Sequence, residues 1–189
     1  MVPRKKGLIV NISSLGGQSY LFNVAYGIGK SAVDRMAIDC GVELKKHNVA
    51  CLSLMLGAVR TEITTNLILN SKSDKGKIKS DPNQSQASDK SVKEIFREGE
   101  SVEFGGKIIA AMATDASIMK YTSKIVIGAE YASRNNIVDI DQRRIASHRE
   151  FGQMGKYFVP KPLKSLASLV PSTFKVPQFI IDIALSKYK

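Results

Sequence analysis

The sequence predicts an α/β fold built on an open parallel sheet, and three observations carry that prediction. Short, apolar, β-branched runs at Gly7–Ser14, Val49–Leu56 and Lys124–Gly128 read as buried strands. Between them, residues 25–46 and 101–114 switch to helical periodicity. Strand, helix, strand, helix, strand in that order is the pattern of right-handed parallel crossovers. With 189 residues, 43% of them hydrophobic, the chain can build a sizeable core. It contains no apolar run near the ~18 residues of a membrane-spanning helix.

The first strand, Gly-Leu-Ile-Val-Asn-Ile-Ser-Ser, ends in small hydroxyl residues, and residues 15–25 with Gly16, Gly17, Gln18 and Ser19 read as a loop. From about Ala25 to Lys46, Ile28, Ala32, Met36, Cys40 and Leu44 recur every four residues, with Val33 and Ala37 alongside. That spacing predicts a single apolar helix face. Lys45, Lys46 and His47 fall in the last turn, where cations suit the helix dipole. The second strand follows and is closed by Gly57. Residues 70–91 hold only Ile78 and Ala87 as apolar side chains and read as a polar loop or insertion. Ser101 is placed to cap the helix over 101–114, with Glu103 in its first turn. Residues 1–150 therefore read as the sheet domain. Residues 151–189 form a tail cut by Pro160, Pro162, Pro171 and Pro177, with Phe174, Val176, Phe179, Ile180, Ile181 and Leu185 near its end. From Lys156 onward the tail carries six Lys against one Asp, an amphipathic composition that suits a membrane surface or packing on a partner.

Composition removes several chemistries. Twenty-eight Lys and Arg against 17 Asp and Glu give a net charge of +11, which favours anionic partners: nucleic acid, membrane phosphates or a phosphorylated cofactor. The charge is scattered, as in a solvated basic surface. Among the partners expected for this chain nucleic acid is not one. Cys40 and Cys51 make no Cys-x-x-Cys pair, and with His47 and His148 they are too few and too separated for a zinc site. No metal is expected, and the sparse cysteines fit a reducing intracellular compartment. Gly29-Lys30-Ser31 echoes the end of a phosphate-binding loop, but Val24 stands where its opening glycine must be. Asp139 and Asp141 lack cation-loop spacing and read as a surface turn.

What remains is Ser14, Tyr26 and Lys30. Tyr26 and Lys30 are four apart and share one helix face. Tyrosine is ordinarily a poor base at neutral pH, and an ammonium beside it favours the phenolate. Ser14 sits at the carboxyl end of a parallel strand, where ligands of open α/β sheets bind, and can hold a substrate oxygen for proton exchange with Tyr26. Tyr-x-x-x-Lys alone is a weak signal. Preceded by strand-Ser-Ser and followed by strand-Gly-x-Val-x-Thr, it becomes specific.

With these residues in place, the sequence resembles the short-chain dehydrogenase/reductase family. Gly7–Ser14 resembles its fifth strand, Tyr26-Gly-Ile-Gly-Lys30 its Tyr-x-x-x-Lys, and Gly57-Ala-Val59-Arg-Thr61 its Pro-Gly-x-Val-x-Thr. Gln18–Gly27, Ile137–Gln142 and Val176–Ile181 extend the likeness over most of the chain outside 70–91. The resemblance implies a partial Rossmann-type sheet, from the fifth strand onward, in an oxidoreductase that interconverts a carbonyl and an alcohol with NADP or NAD, NADPH being favoured. It implies Tyr26 as proton donor and acceptor and Ser14 as the group that orients the substrate oxygen. Lys30 would bind the nicotinamide ribose and favour the phenolate, and Tyr26, Lys30, Gly57, Val59 and Thr61 would contact the cofactor. Three departures follow. Leu56 stands where the family has Pro. Ser14 lies one residue nearer Tyr26 than the usual spacing, which keeps Ser13 as a second candidate. The Gly-rich diphosphate turn, the ribose selector and the Asn-Asn-Ala-Gly segment have no counterpart, so the chain reads as starting about halfway through such an enzyme. Alone it is expected not to bind NADPH measurably, to leave Gly7–Ser14 as an edge strand, and to self-associate. The alternative is a truncated, non-catalytic module that binds a partner or membrane. Expected partners are a small carbonyl or alcohol substrate, a second copy in a homo-oligomer, and a membrane reached through the tail. The expected location is intracellular: cytoplasmic, with the tail at the endoplasmic reticulum membrane.

Overall fold

The computed structural model describes residues 1–66, 89–151, 171 and 174–177. After a 3-10 turn at Val2–Arg4, the chain forms β1 (Gly7–Ser14), a 3-10 turn at Leu15–Gly17, and α1 (Val24–Leu44). A 3-10 turn at Lys45–His47 leads into β2 (Val49–Leu56) and the short α2 (Glu62–Thr64). Then come α3 (Asp89–Arg97), α4 (Val102–Thr114), a 3-10 turn at Ile118–Tyr121, β3 (Ile125–Ile127) and α5 (Gly128–Arg134). The order β1-β2-β3 is wholly parallel. Gly7 pairs with Val49 and Ser14 with Leu56, so β1 and β2 leave the sheet at one level. Most of the polar stretch 70–91 lies outside the described residues. Its last three residues, 89–91, begin α3 and are not loop. Most of the tail also lies outside them, apart from Lys175, bridged antiparallel to Glu150, and the buried Val176.

β2 is the centre of the domain because its two faces pack on different helices. Leu52 and Leu54 join Phe104, Ile108 and Met112 of α4, with Val126 and Tyr131, in the main core. Ser53, on the other face, donates to Asp34 of α1 at 2.5 Å. That contact corrects the face assigned to α1. The side turned to the sheet carries Asp34, Ala37 and Gly41, all buried, whereas Ile28 and Met36 are 65% and 50% exposed. Small residues win this face because the helix approaches the strand closely: a Cβ at Gly41 would lie 2.8 Å from the Cys51 carbonyl oxygen. β1 is also less buried than a continuous apolar run suggests. It has β2 on one side and no strand on the other among the described residues, and Ile12 is 41% exposed.

Candidate active site

Ser14 is the last residue of β1 and the N-cap of the turn that follows. Its Oγ accepts the Gly16 N–H at 3.0 Å, so the hydroxyl is held at the strand's carboxyl end in a half-buried position. Ser13 points to the other side of the strand, is 3% exposed, and its Oγ has no hydrogen-bond partner among the described residues. The turn is clamped to α1. Ser31 Oγ donates to the Gly17 carbonyl at 2.7 Å, and a Cβ at Gly17 would strike the Asp34 carboxylate at 2.5 Å.

Tyr26 enters from the first turn of α1. Asn23 caps that helix through its Oδ1, which accepts the Tyr26 N–H at 2.9 Å. Phe22, just before the cap, takes a left-handed φ of 63°, a conformation seldom adopted by aromatic residues outside functional loops. Its ring meets that of Tyr26 edge-on, with centroids 5.0 Å apart. The Tyr26 ring also lies against Gly16, where a Cβ would come within 2.5 Å of Cε1. Only glycine lets the tyrosine approach the Ser14 turn this closely. Lys30, one helical turn on, reaches back to the strand: Nζ donates to the Ile12 carbonyl at 3.0 Å and stands 5.8 Å from the centre of the Tyr26 ring. Ser14, Tyr26 and Lys30 thus converge at the carboxyl end of β1.

Gly57, Val59 and Thr61 occupy the turn after β2, at the same end of the sheet. Thr61 caps α2, its Oγ1 accepting the Thr64 N–H at 3.2 Å. Val59 forms a parallel bridge to Glu100, flanked by Glu100 N–H to the Ala58 carbonyl and Arg60 N–H to the Glu100 carbonyl, both 2.9 Å. The Gly57 N–H donates to Glu100 Oε1 at 3.1 Å. Leu56 fills a hollow between two glycines, since Cβ atoms at Gly105 and Gly128 would each come within 3.2 Å of it.

Sequence reasoning missed Glu100 and misread Asp139. Asp139 is no surface turn residue; it is fully buried and accepts from the Ser101 hydroxyl, the Ser101 N–H at 2.9 Å and the Ile140 N–H at 2.7 Å. Burial pushes its carboxyl up, but the bonds from Ser101 and Ile140 outweigh that and hold it below the usual range. Glu100 is 1% exposed, and burial pushes its carboxyl up to about 7 against the opposing bond from Gly57, with Asp139 adding to the rise. The available signal was Ser101 itself: a helix cap whose neighbours on both sides of the fold are acids. No group of His, Cys, Asp and Glu among the described residues is arranged to hold a metal ion.

Residues 1–72 match the sequence family described as short chain dehydrogenase. The chain is similar to human Dehydrogenase/reductase SDR family member 1, at 37% identity over 188 residues, covering 100% of this chain and 56% of that protein. The mouse protein of the same name aligns at 34% identity with the same coverage. The chain therefore spans about half the length of the curated relatives it matches. Among solved structures, an NAD+-bound xylitol dehydrogenase superposes with a TM-score of 0.52 at 19% identity, covering 67% of this chain and 49% of that one. A short-chain type dehydrogenase/reductase from Mycobacterium ulcerans gives 0.50 at 18% identity, covering 75% and 50%. These two likenesses are of fold alone.

Proposed function

We propose, for a chain that belongs to the short-chain dehydrogenase/reductase family, that it carries the proton-transfer half of an NAD(P)-dependent carbonyl reductase or alcohol dehydrogenase. The observation that carries this reading is the convergence of Tyr26, Lys30 and the Ser14 turn at one strand end, with the lysine bonded to the Ile12 carbonyl at 3.0 Å. In this reading Ser14 Oγ donates to the oxygen of a small carbonyl substrate, and Tyr26 delivers the phenolic proton to it, taking one back in the oxidative direction. The Lys30 ammonium stands 5.8 Å from the centre of the ring that gives up the proton.

The residues fit the nicotinamide end of a dinucleotide. Lys30 spends one of its three N–H donors on Ile12, which leaves two for ribose hydroxyls. The exposed Gly57 offers close backbone approach beside Val59 and Thr61. Bound there, the cofactor supplies or accepts the hydride. Among the described residues no strand and glycine-rich turn precede β1 to seat the diphosphate. The tail's contact with a membrane and assembly with a second copy are further parts of the proposal.

The test joins this chain to the portion of the human relative that it does not match and measures NADPH- and NADH-dependent reduction of a panel of carbonyls. Tyr26→Phe should cut kcat by roughly 10²–10⁴-fold while cofactor Kd stays near its starting value, since only the proton-transferring hydroxyl is lost. A Tyr26→Phe protein with ordinary kcat removes Tyr26 from the chemistry.

A further inference from the structure

Glu100 is a buried carboxyl that the proton-transfer reading does not use, and its surroundings are built. It lies in the connector between α3 and α4 and is paired through its backbone on both sides with the Gly57–Thr61 turn. Oε1 accepts the Gly57 N–H, and Oε2 has no hydrogen-bond partner among the described residues although it is wholly enclosed. The contact is close: a Cβ at Gly57 would sit 3.4 Å from Oε2, and one at Gly99 would come within 2.1 Å of the Ala58 carbonyl oxygen. The turn is therefore the cover over the carboxyl.

The charges around it do not neutralise it. From the segment after α5, Asp139 faces it with its own negative charge. Arg60, on the turn, is drawn to Asp139 at 3.9 Å and Asp141 at 3.5 Å. Arg143 is occupied by Asp141 at 2.6 Å and by the Glu98 and Gly99 carbonyls at 3.4 and 3.2 Å. Arg97 ends α3, Glu98 stands on the connector itself, and Glu103 lies in the first turn of α4. An ionised Glu100 with one N–H donor and an acid neighbour gains by reaching water, and lifting the turn that lies against it gives it water.

We infer that Glu100 is the positioning residue of the Gly57–Thr61 turn and acts as a latch: protonated, it lets the turn close over it, and ionised, it drives the turn open. The change runs through the window between the carboxyl's ordinary 4.5 and the value of about 7 to which burial has raised it. The assignment of the turn to a nicotinamide cofactor rests on the proposed function, whereas the latch itself does not.

Hydrogen–deuterium exchange of the 189-residue chain between pH 5 and 8, corrected for intrinsic exchange rates, tests it without any cofactor. Protection of the Gly57, Arg60 and Thr61 amides should fall about tenfold or more as pH rises, while β2 amides at Leu52 and Leu54 hold theirs. Glu100→Gln, which keeps an acceptor for Gly57 but cannot ionise, should hold the turn closed at every pH. Gly99→Ala, which forces the Ala58 carbonyl away, should leave the turn open at every pH. A wild-type turn with pH-independent protection overturns the latch, and so does a pH dependence that survives in Glu100→Gln, since another group would then be titrating. A latch that behaves as stated in a protein whose Tyr26→Phe variant turns over normally keeps this inference and discards the proposed function.

Discussion

β1 and β2 are parallel strands of eight residues in register, both rich in apolar side chains, yet they live in different surroundings. β2 has a strand on each side and a helix layer on each face, and Val49 through Met55 are buried. Among the described residues β1 has one neighbouring strand, and its residues are half-buried or exposed except Ser13. The difference teaches that burial here is set by what stands alongside a strand, not by what the strand is made of. It also distinguishes the two strand ends. The open strand ends beside the half-buried Ser14, Tyr26 and Lys30. The enclosed one ends in a turn bonded to the buried Glu100.

The largest effect that separates the two strands is core truncation. Leu54→Ala should lower unfolding free energy by roughly 2–5 kcal/mol, because Leu54 is wholly enclosed against α4. Ile12→Ala, 41% exposed in the starting chain, should cost less than about 1 kcal/mol. Chemical denaturation of both variants checks the ratio, and equal losses would erase the distinction between the strands. The second effect belongs to the end of β2. Native Glu100 titrates near 7 and the unfolded chain near the usual 4.5, so the native state holds the extra proton between those values. Stability should therefore be fullest below the lower value, fall as pH rises through that window, and level off above about 7. The whole drop is on the order of 3.5 kcal/mol at most. Glu100→Gln should flatten it, and denaturation midpoints across pH 4–8 read it directly. The smallest effect lies on the edge of β1. Ile12→Lys should reduce self-association while changing stability by no more than about 0.5 kcal/mol, because a lysine on an edge strand discourages pairing with another chain. Size-exclusion chromatography at rising concentration measures it, and an unchanged elution profile would show that the edge is not where copies meet.

How much of this the sequence revealed depended on whether a residue announces its role by pattern or by position. The bounds of β1, β2 and α4 and the Ser101 cap were legible, because apolar run length, helical periodicity and capping are local properties. The four-residue spacing of Tyr26 and Lys30 likewise translates into geometry, with the ammonium 5.8 Å from the ring centre. The sheet-facing side of α1 was not. Four-residue periodicity chose the row at 28, 32, 36, 40 and 44 with 33 and 37 alongside, and of these Ala37 does face the sheet, whereas close approach to β2 also demands Gly41 and a hydrogen-bonded acid at 34. Glu100 and Asp139 were hidden for a related reason. A buried acid looks like a surface acid until the donors that surround it are known, and those donors come from residues about 40 positions away.

Leu56 ties together three positions distant in sequence. Its two methyl groups occupy space that Gly105 on α4 and Gly128 at the start of α5 leave open, and a side chain at either glycine would push against them. Only Gly105 depends on Leu56 alone, because a Cβ at Gly128 would also meet Ile108 Cδ1 at 3.3 Å. Gly105→Ala is therefore expected to be better tolerated beside Leu56→Pro than beside the native leucine, so that the strand end and α4 share one packing constraint.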